Sequence, residues 1–361
     1  MKINIIGAGH IGVINGACLS KLNHKIHFTD SDITKLGKFR ERVPFFEEKD
    51  LDWDGLYNNT TISSTIDEQS DLFLICISIP VVDEQYDISQ LLLLIDRLVH
   101  TDKPIILRST LGFNELTQIT QLTANYPALI WPEFLREGSA LNDFETDDNY
   151  FASIGCENIS SIVDELALPN KTVLVSDPFT LASVKMYSNA WRAIKLSFIN
   201  SIKSSTGAPL INFSEFRQIF SALRGNCDEL YLMPGDPFGG YCLPKELCAA
   251  SNKLHAQLPH APNMFKAAFD FNKFMVTQKA NEILELAPDV VHFIGLEFKS
   301  GTSDIRNSPY LDLKNILVEN GLIVNVLRSD EHICGHQNAV LVKRQFDSTL
   351  NVPKNVKVIS F

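Results

Sequence analysis

Apolar and polar positions divide the chain into short buried runs and longer helical stretches. Residues 2–6 (KINII) form a β-branched run followed by GAGHIG, a helical stretch is expected from about Ile11 to Leu22, and a second strand, HKIHFTD, ends at Asp30. Strand, loop, helix and strand in that order make the first unit of a parallel sheet. The apolar runs LFLICIS (72–78), PIILRS (104–109) and ALIW (128–131) predict further buried strands, with helices between them. Residues 180–206 contain neither Pro nor Gly, and Val184, Tyr187, Trp191, Ile194, Phe198 and Ile202 recur at helical spacing. That pattern predicts one long helix, closed by Gly207 and Pro209.

More helix is expected at 213–223, a turn-rich loop at 234–241 and helix again at about 262–286. A third segment opens on VVHFIGLEF (290–298) and continues with a helix near 309–319, a strand LIVNVLR (322–328) and strands at AVLVK and VKVIS. The expected fold class is α/β. Two Rossmann-like, doubly wound parallel-sheet domains, 1–178 and 287–361, are joined by a helical central domain, 179–286, that contains the long helix.

Composition narrows the classes. A length of 361 residues suits two or three domains, and 45% hydrophobic with 21% charged residues is ordinary for a soluble globular chain. A net charge of −11 argues against a nucleic-acid or anionic-membrane partner, so cations serving an anionic substrate must be gathered locally. Seven cysteines, an odd and widely spaced set without a C-x-x-C pair, suggest neither a zinc site nor a disulfide framework. Free thiols in a reducing cytoplasm are the expectation, with no metal. No apolar run approaches membrane-span length, and the glycines and Asn15 interrupt the faint signal-peptide look of the N-terminus.

Gly7, Gly9 and Gly12 carry the first chemistry. In G-A-G-H-I-G the first glycine permits a tight turn, the second lets backbone N–H groups approach a pyrophosphate, and the third lets helix pack on strand. The positive end of the helix then faces the phosphates, beside His10 and Ile11. Asp30, at the next strand end, would bind a ribose 2′-hydroxyl and repel a 2′-phosphate, which favours NAD over NADP. Lys35, about a turn later, is a further ribose or phosphate contact, or a solvated surface lysine.

The most distinctive stretch is PFGGYCLPKE (237–246). Adjacent glycines let backbone approach a ligand closely, and Lys245 would favour the thiolate form of Cys242, the nucleophile. Lys185 and Asn189 are four apart on the long helix and share a face. Glu133 and Glu137 are also four apart, and would share a face in a helix or tight turn.

These residues resemble the UDP-glucose/GDP-mannose dehydrogenase family, and within it the bacterial UDP-glucose 6-dehydrogenases. GAGHIG (7–12), ST (109–110), PEFLREGSA (132–140), Lys185 with Asn189, GGYCLPK and FKSGTSDIRNSP (298–309) stand in family order. The resemblance implies an NAD domain, a long helix that also makes a homodimer, and a short C-terminal domain that holds the UDP-sugar. It implies NAD-dependent four-electron oxidation of a sugar C6 alcohol to a carboxylate, UDP-glucose to UDP-glucuronate, with Cys242 holding a thiohemiacetal and then a thioester. Lys185 and Asn189 would stabilise the alkoxide, and Glu137, Thr110 and Glu246 would serve water and base. Thr110, Glu137, Lys245 and Arg306 would touch NAD. Glu133, Phe134, Leu135, Arg136, Lys185, Asn189, Arg224, Gly239 and Lys299 would line the substrate.

The chain departs from the family pattern at Glu246, where the family has Asp, at Val81, where a hydroxyl residue is usual, and after Thr110, where the loop is shorter. Three alternatives stay open. They are a UDP-N-acetylhexosamine or GDP-mannose 6-dehydrogenase, a nucleotide-sugar or NAD-binding protein with little turnover, and a simple hydroxy-acid dehydrogenase in which Cys242 has no role.

Overall fold

The computed structural model describes residues 1–82, 85–155, 160–206, 211–223, 235–299, 302–327, 338–344, 352 and 356–361. The chain forms two compact units, Met1–Met186 and Tyr187–Phe361.

The first unit begins β1 (Lys2–Ile6), α1 (His10–Lys21), β2 (Lys25–Thr29), α2 (Ile33–Arg40), α3 (Trp53–Asn59), β3 (Thr60–Ser63) and β4 (Leu72–Ile75). A short antiparallel hairpin, β5 (Val81–Val82) and β6 (Gln85–Tyr86), precedes α4 (Ser89–Leu98), β7 (Ile105–Leu107), α5 (Phe113–Thr123) and β8 (Ala128–Ile130). Then come α6 (Ala140–Thr146), β9 (Asn149–Ser153), α7 (Ser160–Glu165) and β10 (Thr172–Leu174). The main strands form one sheet in the order β10-β9-β8-β7-β4-β1-β2-β3, parallel except where β9 runs against β8.

Alternation along the strands explains why helices cover both faces. Ile3 and Ile5, Leu72 and Leu74, Ile106 and Leu129 point to one core with α1, α3 and α6. Their neighbours Ile6, Phe73, Ile75, Ile105, Leu107 and Ile130 point to the other with α4 and α5. Strands buried on both faces read as continuous apolar runs, which is why the sequence shows them so clearly. The strand order reverses between β1 and β4. Ligands bind at such a switch point, outside the carboxyl ends of the strands.

A single helix, α8 (Pro178–Thr206), runs across the division between the units. Its buried face mixes apolar residues, Leu181, Met186, Ala190 and Ile199, with polar ones, and part of the periodic apolar stripe faces outward. Val184, Tyr187, Trp191 and Phe198 are exposed, whereas Lys185, Asn189, Lys195 and Asn200 are buried.

The second unit continues with α9 (Phe213–Ala222), α10 (Cys242–Gln257), α11 (Met264–Glu285), β11 (Val290–Ile294), α12 (Pro309–Glu319), β12 (Val324–Leu327), β13 (Ala339–Val342) and β14 (Val356–Ile359). Its sheet is wholly parallel, in the order β12-β11-β13-β14. One face packs Val291, Phe293 and Val340 on α11 and α12 through Ala280, Ile283, Leu313 and Leu317. The pattern of the third segment foresees these strands. Helix α10 is an addition to the sequence-based expectation. Gly207, Pro209 and Arg224 lie outside the described residues.

Candidate active site

In the first unit the glycine turn has the geometry its motif requires. Gly7 has φ +102, and a Cβ there would lie 2.8 Å from the Cys76 carbonyl oxygen on the neighbouring strand end. A Cβ on Gly12 would meet the Gly7 carbonyl at 1.9 Å, so helix and turn can close only without one. Around the Cβ position of Gly9 there is open space within 4 Å, and Gly9 begins α1 without any side-chain cap. An uncapped helix N-terminus flanked by room for a ligand fits a pyrophosphate.

Asp30 stands beside that turn. Its Oδ2 accepts the Ala8 N–H at 2.8 Å and pairs with Lys35 Nζ at 3.1 Å, and its Oδ1 accepts the Asp32 N–H at 2.9 Å. The carboxylate is thereby fixed at the end of β2, where a ribose hydroxyl would be read. Ile11 packs into the first core. His10 points elsewhere: its Nε2 lies 2.7 Å from Glu48 Oε2.

Residues 131–136 carry the PEFLR motif without regular secondary structure, and a turn follows at 137–139. Of the helix or tight turn expected for Glu133 and Glu137, no helix forms, and the turn holds Glu137 but not Glu133. Glu133 is buried, with Oε1 2.9 Å from Lys185 Nζ and Oε2 accepting the Leu135 N–H at 3.0 Å. Glu137 lies half-buried in the turn. Phe134 puts its ring 5.3 Å from the Lys185 ammonium. Arg136 is engaged by buried Asp143, through Nε at 3.0 Å, Nη2 at 2.6 Å and its own backbone N–H at 2.8 Å. Thr110 follows Ser109, whose hydroxyl donates to the Ile77 carbonyl at 2.6 Å.

Two residues that the sequence reading did not single out hold this segment in place. Arg108 is buried with its guanidinium 3.8 Å from the centre of the Trp131 ring, and its Nη1 donates to the carbonyls of Trp131 at 3.0 Å and Pro132 at 3.3 Å. Burial pushes its pKa down to about 10, so it stays charged at neutral pH. Glu48 accepts the N–H groups of Gly138 at 2.8 Å and Ala140 at 2.9 Å as well as His10. A cation ending the apolar run PIILR was a legible signal for Arg108, whereas Glu48 sits in a charged stretch with no pattern.

On α8, one turn beyond Lys185, buried Asn189 accepts a bond from Arg192 Nη1 at 2.6 Å on its amide oxygen, while its amide nitrogen has no partner among the described residues. An unpartnered buried donor is costly unless a ligand supplies the acceptor.

In the second unit Cys242 is the first residue of α10 and is exposed, while Cys18 and Cys76 are buried and Cys248 is half-buried. A helix N-terminus favours an anionic sulfur. Lys245 Nζ is 3.1 Å from Glu246 Oε1, with both side chains almost wholly buried. Burial works against the ammonium, but Glu246 above all, then Tyr241 and Cys242, hold the Lys245 pKa above its usual value. The Tyr241 ring faces two cations, with Lys245 Nζ and the Arg306 guanidinium each 4.7 Å from its centre. Arg306 also makes a two-pronged contact with Asp304, and Lys299 Nζ lies 5.6 Å from the Phe298 ring.

The adjacent glycines also have a packing reason. A Cβ on Gly239 would lie 2.7 Å from the Asn307 carbonyl oxygen and 2.8 Å from Pro309 Cδ, and one on Gly240, at φ +81, would meet the Phe298 ring at 2.9 Å. The Gly240 N–H donates to the Arg306 carbonyl at 2.9 Å. The space beside the glycines is filled by Phe298, Asn307 and Pro309, so parts of two of the recognised motifs pack on each other.

The family's NAD binding domain matches residues 1–166, and its central domain matches residues 182–274. The chain belongs to the UDP-glucose/GDP-mannose dehydrogenase family. This makes it an NAD-dependent nucleotide-sugar 6-dehydrogenase. It is similar to the GDP-mannose 6-dehydrogenase of Pseudomonas syringae pv. syringae, with 25% identity over 91% of this chain and 81% of the relative. A UDP-glucose 6-dehydrogenase of Rickettsia bellii is 24% identical over 90% of this chain and 80% of its own length. Among solved structures, a UDP-glucose dehydrogenase from Pyrobaculum islandicum superposes with TM-score 0.78 at 19% identity, covering 100% of this chain and 86% of that one, and shares its fold.

Proposed function

We propose that this chain oxidises UDP-glucose to UDP-glucuronate, with Cys242 as the covalent nucleophile. The observation that carries this reading is the exposed thiol opening α10, the one exposed cysteine among those described, in a family of sugar C6 oxidisers. Gly9, the N-terminus of α1 and Asp30 would hold NAD, which supplies the hydride acceptor for both oxidations.

The Cys242 sulfur adds to the C6 aldehyde, and the carbonyl oxygen becomes an alkoxide. Lys185 and the free amide N–H of Asn189 offset that charge, and Glu133 fixes the Lys185 ammonium. Loss of the C6 hydrogen with its electron pair leaves a thioester on the sulfur. Water, oriented by Glu137 and Thr110, then adds to the acyl carbon, and the carbon–sulfur bond breaks to release thiolate and carboxylate. Per sugar, the CH2OH group, one water and two NAD+ become a carboxylate, two NADH and three protons. Glu246 acts through the ammonium of Lys245, to which it is bound. Lys299, Arg306 and Gly239 belong to the nucleotide and cofactor contacts of the second unit. Two copies pair along the exposed apolar stripe of α8, formed by Val184, Tyr187, Trp191 and Phe198.

The test is to incubate the protein with NAD and, separately, UDP-glucose, a UDP-N-acetylhexosamine and GDP-mannose, counting NADH formed per sugar consumed. Two with UDP-glucose supports the proposal, two with another sugar moves it to that substrate, and one or none overturns the thioester route. Cys242→Ala should block acid formation while NAD binding persists.

A further inference from the structure

The glycine turn and the 131–140 segment are joined within the first unit by one buried carboxylate. Glu48 has a side chain with no solvent exposure. Its Oε2 takes both the His10 ring nitrogen at 2.7 Å and the Gly138 N–H at 2.8 Å, and its Oε1 takes the Ala140 N–H at 2.9 Å. His10 is the first residue of α1, directly after Gly9, and its ring packs edge-on against Phe46 at 5.0 Å. Gly138 lies in the turn directly after Glu137, and Ala140 follows it at the start of α6. The segment from 131 to 139 has no helix or strand of its own, so its order depends on such side-chain bonds to its backbone.

We infer that Glu48 is a positioning residue that transmits NAD occupancy at the glycine turn to the 136–140 segment, so that Glu137 is ordered when the cofactor is in place. A ligand that restrains the start of α1 also restrains His10, and the His10–Glu48 bond passes that restraint to the two backbone N–H groups. The inference rests on the NAD-binding part of the proposed function and not on the identity of the sugar.

Three donors converge on the two oxygens of Glu48, which makes Glu48→Gln informative. If the amide NH2 replaces Oε1 it faces the Ala140 N–H, and if it replaces Oε2 it faces the Gly138 N–H. Either way one backbone donor loses its acceptor, at nearly unchanged volume. His10→Phe approaches the same link from its other end, keeping a ring against Phe46 and losing the bond. The experiment is amide hydrogen exchange of the full chain with and without saturating NAD, with no sugar present. In the wild type, NAD should slow exchange in peptides covering 5–16 and, by roughly tenfold, in those covering 134–141. In both variants NAD should still protect 5–16 but leave 134–141 unchanged. Protection of 134–141 that persists in either variant would overturn the inference, as would its absence in the wild type. Failure of NAD to protect 5–16 in the wild type would overturn the cofactor reading as well, and so tells the two failures apart.

Discussion

The two loops that bear the candidate chemistry are held by opposite means. In the first unit, residues 131–140 are fixed by buried charge: Arg108 on two carbonyls, and Glu133, Asp143 and Glu48 on the N–H groups of residues 135, 136, 138 and 140. In the second, residues 239–240 are fixed chiefly by contact and neutral hydrogen bonds, with Gly239 and Gly240 pressed against Phe298, Asn307 and Pro309 and Gly240 bonded to the Arg306 carbonyl. Charge-held backbone tolerates changes of side-chain volume nearby and depends on ionisation. Backbone held by contact depends less on ionisation and admits no added atom. The difference suits the work proposed for each, since the first loop must keep polar groups aimed at water and the second must hold one sulfur still.

The largest effect should come from adding a methyl group to the packed loop. Gly239→Ala should destabilise the second unit by about 3 kcal/mol, at the upper end of overpacking costs, measured by chemical denaturation. A loss within error would mean the loop yields easily and the contrast is false. Next, Arg108→Met keeps much of the length but leaves the Trp131 and Pro132 carbonyls without their donor. About 2 kcal/mol should be lost from the first unit, and an unchanged midpoint would show that the buried charge does not organise the segment.

Gly9 separates glycines that admit a ligand from glycines that admit a neighbouring loop. Open space surrounds its missing Cβ, so Gly9→Val should leave thermal stability unchanged while weakening NAD at least about tenfold, or ~1.4 kcal/mol. A drop in thermal stability like that of Gly239→Ala would place Gly9 with the packed glycines instead.

The smallest effect expected is an acid response confined to the charge-held loop. Burial pushes the Glu48 carboxyl up, but His10 and the Gly138 and Ala140 N–H groups pull it further down, below the usual carboxylate range. Asp143 behaves alike, with burial opposed by Arg136. Both folded values lie below the unfolded ones, so their stabilisation is present above about pH 4 and is lost as pH falls through the folded values. Amide exchange, corrected for its intrinsic pH dependence, should show residues 134–141 loosening in acid while 238–241 keep their protection. Parallel loosening of both would erase the distinction.

Much of the fold was legible because strands buried on both faces need apolar side chains throughout, as in LFLI of β4 and IIL of β7. Helix α10 was not, because its buried positions are Pro244, Glu246, Leu247 and Ala250, a mixture that hides helical periodicity, although a proline in the first turn was a usable sign. Missing that helix also hid the position of Cys242 at its N-terminus. The periodicity of α8 foretold a helix, while Val184, Tyr187, Trp191 and Phe198 of its apolar stripe proved to be exposed. The roles of Gly239 and Gly240 required Phe298 and Asn307, some sixty residues away along the chain, which no local pattern reveals. Glu48 was invisible for the same reason: its partners come from residue 10 and from residues 138 and 140.

The proposed chemistry turns on a bond between one sulfur and one sugar carbon. Enzyme turning over a nucleotide sugar with NAD should be quenched in acid and digested, and the peptide containing Cys242 weighed. A fraction of that peptide should carry the mass of the acylated nucleotide sugar, and none should in Cys242→Ala. Steady acid production with an unmodified Cys242 peptide, or undiminished production by Cys242→Ala, would contradict it.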